Sequence, residues 1–288
     1  MDGKLKEKLM KYVFMAASII SIAAFLVICY FIFKTGLPFI LRHGFDFVLG
    51  TKWSPATNPP SYGILPMIYA SFVVTFLASL IGVPIGIFAA LFLAFEAGPK
   101  MKKLLTPMLN LMAGIPSIIY GFFALQTIVP FIREYIGGHG ISILAASILL
   151  GIMILPTIIA ISEAGLEAVN SKYYEASVAL GASHGRSVMK IVLPAAKNSI
   201  LAAVILGIGR AIGETMATIL VVGNQARITT DILKGIRTLT ANVVLEMGYA
   251  AGEHMEALFA TACILFIFIL IINGMFLMFK GRSSKNEG

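Results

Sequence analysis

A chain of 288 residues that is 58% hydrophobic and 12% charged carries about half the ionisable content of an ordinary soluble domain. With a mean hydropathy of +0.92, it reads as an all-α integral membrane protein, which excludes a soluble enzyme or a free-standing binding module. The net charge of +8 would suit nucleic acid, but its distribution between apolar runs points to membrane topology instead, and no nucleic-acid partner is expected.

A basic tail, 1–11, holds Lys4, Lys6, Lys8 and Lys11, and Tyr12 to Phe33 is then uninterrupted apolar sequence. That run is too long for a signal-peptide core and lacks a small-x-small cleavage site, so an uncleaved first span over 12–33 is expected. Residues 34–65 form a long connection containing Trp53-Ser54-Pro55 and Asn58-Pro59-Pro60. Such a turn-rich stretch is not regular helix, and its aromatics are expected at the membrane interface.

Further spans are expected near 66–95, 107–131, 141–161, 199–222 and 257–279, six in all. Each is long enough to cross about 30 Å of hydrocarbon at about 1.5 Å per residue. Pro66, Pro84, Pro116 and Pro156 fall within or at the ends of these spans, as kinked helices lining a cavity would have them. Residues 230–247 repeat apolar side chains at Ile232, Ile236, Leu239, Val243 and Met247, the period of an amphipathic helix. A short tail, 280–288, closes the chain. Cys29 and Cys263 lie in apolar runs and read as small core residues.

With the N-terminus inside, the inner segments hold 14 Lys and Arg residues against 7 outside. This bias puts both termini in the cytoplasm, together with the long polar interruption 162–198. Within it, 171–180 reads as a short helix that Gly181 can end in the left-handed conformation. Ser183 or Ser187 can cap a second short helix carrying Val188, Ile191 and Val192, with Pro194 as its stop. Two amphipathic half-helices around a glycine make a knob suited to a groove on another protein.

Arg210 and Glu214 stand inside the fifth apolar run, where a charge at helix centre costs about 2.5–3.5 kcal/mol on insertion scales. Four residues apart on a continuous helix, they can pair on one face, either lining a translocation path or bracing the bundle. No G-x-x-x-x-G-K-[ST] loop is present, so this chain does not hold ATP through a P-loop. H-E-x-x-H and G-x-S-x-G are absent too, and no catalytic constellation is expected. His43, His139, His184 and His254 lack ligand spacing and read as surface residues.

The knob resembles the "EAA" loop of ABC-importer permeases: Glu175-Ala176-Ser177, then Gly181, then Ile191, Leu193 and Pro194 at the family's spacing, with Ser177 in place of its second alanine. Tyr62-Gly-Ile-Leu-Pro66, Gly114-Ile-Pro-Ser-Ile-Ile-Tyr-Gly-Phe-Phe123 and Gly209-Arg-Ala-Ile-Gly-Glu-Thr-Met216 are similar to the phosphate-uptake permeases of the Pst system, leaning to the PstC-type over the PstA-type subunit. The resemblance implies a type I importer permease in a bacterial or archaeal cell membrane, with Arg210, Glu214 and Thr215 on the translocation path. It implies a second, PstA-like permease, an external phosphate-binding protein, and an ATPase dimer that docks on the knob and carries the ATP and Mg. No cofactor is expected on this chain itself. Import of another oxyanion, sulfate or molybdate, and an ion-coupled carrier using Arg210 and Glu214 remain as alternatives.

Overall fold

The computed structural model describes the backbone of residues 3–285 and the side chains of 7–274. The side chains of Lys4, Lys6, Lys280, Arg282 and Lys285, counted above in the two tails, lie outside the described residues. Helix α1 runs Gly3–Leu49, with Pro38 inside it and a sharp kink at Gly44 (φ 53°, ψ −130°). It therefore continues through 34–49, where a loop was expected. Phe39 and Phe47 on this extension are wholly buried against Tyr62 and neighbouring apolar side chains, Leu258 among them, and that burial outweighs the weak breakers in the stretch.

The turn-rich part proves to be a hairpin, β1 (Trp53–Ser54) paired antiparallel with β2 (Ser61–Tyr62), Trp53 opposite Tyr62. Helix α2 (Leu65–Leu91) starts on Pro66, whose missing N–H is harmless in a first turn, and passes Pro84 into a π-helical turn, Phe92–Glu96. Then come α3 (Pro99–Gly114), α4 (Ser117–Gln126) and α5 (Ile128–Phe131), the last running into a second π turn, Ile132–Ile136. Helix α6 (Ile143–Glu167) is capped by Ser142, whose side chain accepts from Ala145 N.

The knob comprises α7 (Ser171–Ala179), α8 (His184–Ser187), a third π turn, Val188–Val192, and α9 (Leu193–Ala195). Helices α10 (Lys197–Gly213) and α11 (Met216–Val221) follow. After an extended strap, α12 (Leu239–Met247) and α13 (Glu253–Lys285) complete the chain.

Four stretches are long and apolar enough to cross a membrane unaided: Glu7–Leu49, Leu65–Glu96, Ile143–Glu167 and Glu253–Gly274. Two more qualify only as bent pairs, Pro99–Gly114 with Ser117–Ile136 at 98° and His184–Ala195 with Lys197–Gly213 at 69°. The straight spans expected over 107–131 and 199–222 are thus each interrupted. The helix expected over 230–247 is also shorter. Only Leu239–Met247 coils, because the strap before it gives its carbonyls to the start of α6: Ile143 N donates to Lys234 O and Leu144 N to Ile232 O.

Helix α6 is the axis of the bundle and touches α2, α3, α10 and α11. Small residues let the backbones close up, as membrane helices require when no hydrophobic force separates lipid from protein. A Cβ on Gly82 would meet Gly151 O at 2.7 Å and the Ile154 side chain at 2.7 Å, and one on Gly207 would meet Ile158 at 2.8 Å. Helices α1 and α13 form a second layer, with Gly36 against the Phe259 carbonyl.

At the end of the bundle away from the knob, buried Glu246 ties three elements together. Its carboxylate accepts from Trp53 Nε1 (2.9 Å) and Arg237 Nη1 (2.5 Å), and its Oε2 lies 2.8 Å from His254 Nε2. Trp53 is thus buried rather than an interfacial aromatic. Three of the four histidines have partners of this kind, His43 with Glu253 and His184 with Glu96 being the others; His139 has none among the described residues. Cys263 is buried and donates to Ile32 O, while Cys29 is partly exposed.

Gly82→Val should cost about 1–3 kcal/mol as overpacking, seen as a lower unfolding midpoint in detergent. Gly98→Val, where an added side chain meets nothing within 4 Å, should leave that midpoint unchanged.

Candidate functional site: a double helix break and a knob

Two apolar helices stop in mid-run at the same kind of sequence. Gly114-Ile115-Pro116 ends α3 because the residue before proline is pushed out of the helical region. Gly213-Glu214-Thr215 ends α10 without a proline. The two final residues adopt nearly one conformation, Ile115 at φ −68°, ψ 128° and Glu214 at φ −68°, ψ 129°. The short helices that follow, α4 and α11, pack together through Gly121, where a Cβ would sit 2.8 Å from Ala217 Cα. Gly114, Ile115, Pro116, Gly213 and Met216 are all exposed, so both breaks are left uncovered by this chain. Tyr120 spans the first break, its hydroxyl donating to Met112 O at 2.9 Å.

The expected Arg210–Glu214 ion pair is not formed. Its premise was a continuous helix, and α10 ends between the two residues. Glu214 Oε1 instead accepts from the backbone N–H of Thr215 (3.1 Å) and Ala217 (3.2 Å), so the carboxylate caps the start of α11, where the helix dipole favours a negative charge. Its backbone carbonyl is covered by Thr240 Oγ1 at 3.2 Å, and Thr215 Oγ1 donates back to Gly213 O at 3.1 Å.

Arg210 lies in the last turn of α10, the favourable end for a cation. Among the described residues its guanidinium makes one hydrogen bond, from Nη1 to Thr157 Oγ1 on α6 at 3.4 Å. Most of its five donors are unspent. Thr157 is a site residue that sequence reasoning missed; its only signal was a hydroxyl beside Pro156 in an apolar run.

The knob sits at the opposite end of α6 from the Glu246 cluster. Gly181 has φ +87°, and Ala182 N bonds Ser177 O while Gly181 N bonds Val178 O, the paired closure of a Schellman motif. Ser177 and Ser187 hydroxyls meet at 2.9 Å across the turn, bracing the half-helices where the family writes alanine. Ser183 takes the N-cap position without a side-chain bond, and the second half-helix runs through Pro194 to bend at Ala196.

Val188 and Val192 anchor the knob among Ala90, Leu91 and Leu166. His184 adds a polar link, with Nδ1 2.8 Å from Tyr174 Oη and Nε2 3.0 Å from Glu96 Oε1. Tyr173, Val178, Leu180, Met189 and Ile191 are left exposed, Leu180 to 90%. Glu175 and Ala176 are exposed beside them, Leu193 is half-buried and Pro194 exposed.

Residues 82–285 match the model of the family described as "Binding-protein-dependent transport system inner membrane component". This chain belongs to that family. The permease is 38% identical to a probable ABC transporter permease protein, YqgH, of Bacillus subtilis, over 89% of this chain and 86% of the relative. It is 32% identical to the phosphate transport system permease protein PstC of Xylella fastidiosa, covering 85% and 81% of the two chains. A probable PstC of Methanocaldococcus jannaschii is 31% identical over 91% and 90%.

The fold agrees. The permease superposes on a bacterial alginate ABC transporter chain with a TM-score of 0.67 at 15% identity, covering 98% and 96%. On the MetNI methionine ABC transporter the score is 0.57 at 22% identity, covering 77% and 94%. It is therefore a transporter subunit and not itself an enzyme, and the type I importer architecture is the observed one.

The double break predicts unequal effects at Glu214. Glu214→Ala removes the cap and should cost about 0.5–2 kcal/mol, whereas Glu214→Gln keeps an oxygen for the amides and should unfold near the parent temperature.

Proposed function

We propose that this permease is the PstC-type membrane subunit of an ATP-driven importer of inorganic phosphate, working with a PstA-like permease, an ATPase dimer that binds ATP and Mg, and an external phosphate-binding protein. Arg210 carries the reading. A half-buried guanidinium with unspent donors beside two uncovered helix breaks is matched to an oxyanion, whose desolvation a fixed positive charge offsets. Family membership sets aside the ion-coupled carrier. The PstC relatives favour phosphate over sulfate or molybdate, and so does Glu214: Oε1 is held by amides while Oε2 makes no hydrogen bond among the described residues, which suits it to accept from the P–OH that sulfate lacks.

In lipid, backbone at a break must be covered by protein or face a water-filled path. The uncovered breaks are therefore where the second permease packs, with Arg210, Glu214 and Thr215 lining the path between the two subunits. The knob, with Leu180 protruding and Glu175 unpaired among the described residues, docks in a cleft of the cytoplasmic ATPase. Closure of the ATPase dimer then moves the knob, and through α6 and α10 the breaks. The 14:7 basic bias supports termini and knob in the cytoplasm.

Two measurements test this. In cells carrying the complete importer, Arg210→Gln should lower radiolabelled phosphate uptake by at least about tenfold, the weight of one positioned charge of about 1.4 kcal/mol or more, at unchanged membrane level. Undiminished uptake removes Arg210 from the path. Gly181→Val should also abolish uptake, since valine is disfavoured at positive φ, while the ATPase co-purifies in lower yield.

Orientation is checked with single cysteines. Ser61→Cys should react with an impermeant thiol reagent from outside and Ser183→Cys only after permeabilisation. The reverse pattern would put the knob on the wrong side of the membrane for ATP.

A further inference from the structure

The strap joining α11 to α12 is tied across itself by two arginines. Arg227 Nε donates to Gly235 O and Arg237 Nε to Asn224 O, both at 2.9 Å. Their guanidinium ends differ. Arg237 Nη1 is matched by Glu246 at 2.5 Å and Asn242 Oδ1 at 3.1 Å. Arg227 has no acceptor for its terminal nitrogens among the described residues. It lines a cleft of about 360 Å³ with Lys234, His139, Asn224, Gln225 and Leu220. Asp231 lies 3.4 Å from Lys234 Nζ, both being half-exposed.

The cleft sits over the C-terminal end of α11, whose carbonyls would ordinarily repel an anion. Here three of them are occupied. Ile219 O accepts from Asn224 Nδ2 (2.8 Å), Val221 O from Ser142 N (2.9 Å) and Val222 O from Ile236 N (2.9 Å). What faces the cleft is the guanidinium end of Arg227, which has no carboxylate partner among the described residues, and Lys234, which shares its charge with Asp231. The other end of α11 is the Glu214 break, six residues or about 9 Å away, and the knob lies at the far end of α6.

We propose that this cleft is an oxyanion-receiving site, holding inorganic phosphate between its delivery at the outer surface and the Arg210 break. The inference rests on the phosphate-importer reading above. Arg227 supplies a two-nitrogen edge already fixed by its Nε bond, Lys234 a mobile charge, and exposed His139 a donor at the rim. A concave site of this volume fits a small ligand, and its alignment with α11 favours an ion on its way inward over a protein surface. Charge in such a cleft concentrates anions.

The test uses the complete importer in proteoliposomes, with Gln225→Cys as reporter in a Cys29→Ala, Cys263→Ala background. An anionic methanethiosulfonate should modify the reporter at least about fivefold faster than a cationic one, and about 10 mM inorganic phosphate should slow it at least about threefold. Arg227→Gln should abolish both effects. Lys234→Gln, which leaves the strap's arginine ties intact, should weaken both and so separates lost charge from lost folding.

Equal rates for the two reagents, untouched by phosphate, overturn the proposal. So does protection by the binding protein irrespective of phosphate, which would make the cleft a seat for a protein carboxylate. Protection by sulfate or molybdate but not phosphate would keep the oxyanion site and overturn the phosphate reading instead.

Discussion

Every backbone polar group inside a bilayer must find a partner within protein or at a water-filled surface, and the rest of this structure follows from how two interrupted helices meet that demand. At Glu214 the chain supplies its own answer, a carboxylate folded onto the amides of Thr215 and Ala217 with Thr240 on the adjoining carbonyl. At Ile115–Pro116 it supplies only part of one, since α4 begins without a side-chain cap. The two breaks are held together by the contact of Gly121 with Ala217. Both breaks remain exposed at Gly114, Pro116, Gly213 and Met216.

Charge is handled in two contrasting ways. Glu246 is buried but met by Trp53, Arg237 and His254, a cluster in which removing one partner strands another, at a cost of about 3–5 kcal/mol for a buried pair. Among the described residues Arg210 and Arg227 have one side-chain bond each and guanidinium nitrogens to spare. Matched charge fixes the end of the bundle away from the knob; charge without a carboxylate partner among the described residues flanks α11.

The knob was legible from sequence because its determinants are local. A 3.6-residue period, a glycine and the following serine are enough to predict α7, and Gly181 at φ +87° is where chain chemistry required it. Spans over 66–95 and 141–161 were legible from hydropathy alone, and Leu65–Glu96 and Ile143–Glu167 answer to them. The breaks were not legible, since Gly-Ile-Pro and Gly-Glu-Thr are small interruptions in long apolar runs, and Arg210–Glu214 spacing argues for a pair only if the helix continues. The strap misled for another reason. Ile232 and Ile236 keep helical period, yet their segment is claimed by the free amides at the start of α6. Partners such as Trp53 and Glu246, 193 residues apart, leave no periodic trace.

Helix α6 is 25 residues long, about 37 Å of nearly continuous rod. Ser142 at one end is bonded to α11 through Val221 O, and the other end, Glu167, is joined to α7 at Ser171 by three residues. Such a rod acts as a first-class lever. A tilt of about 10° about its middle would swing each end by about 3 Å in opposite directions, so a push toward the bundle at the knob end becomes a retreat at the far one. Reciprocal opening of the two faces of a membrane then needs no separate linkage between them; it is built into the stiffness of a single helix.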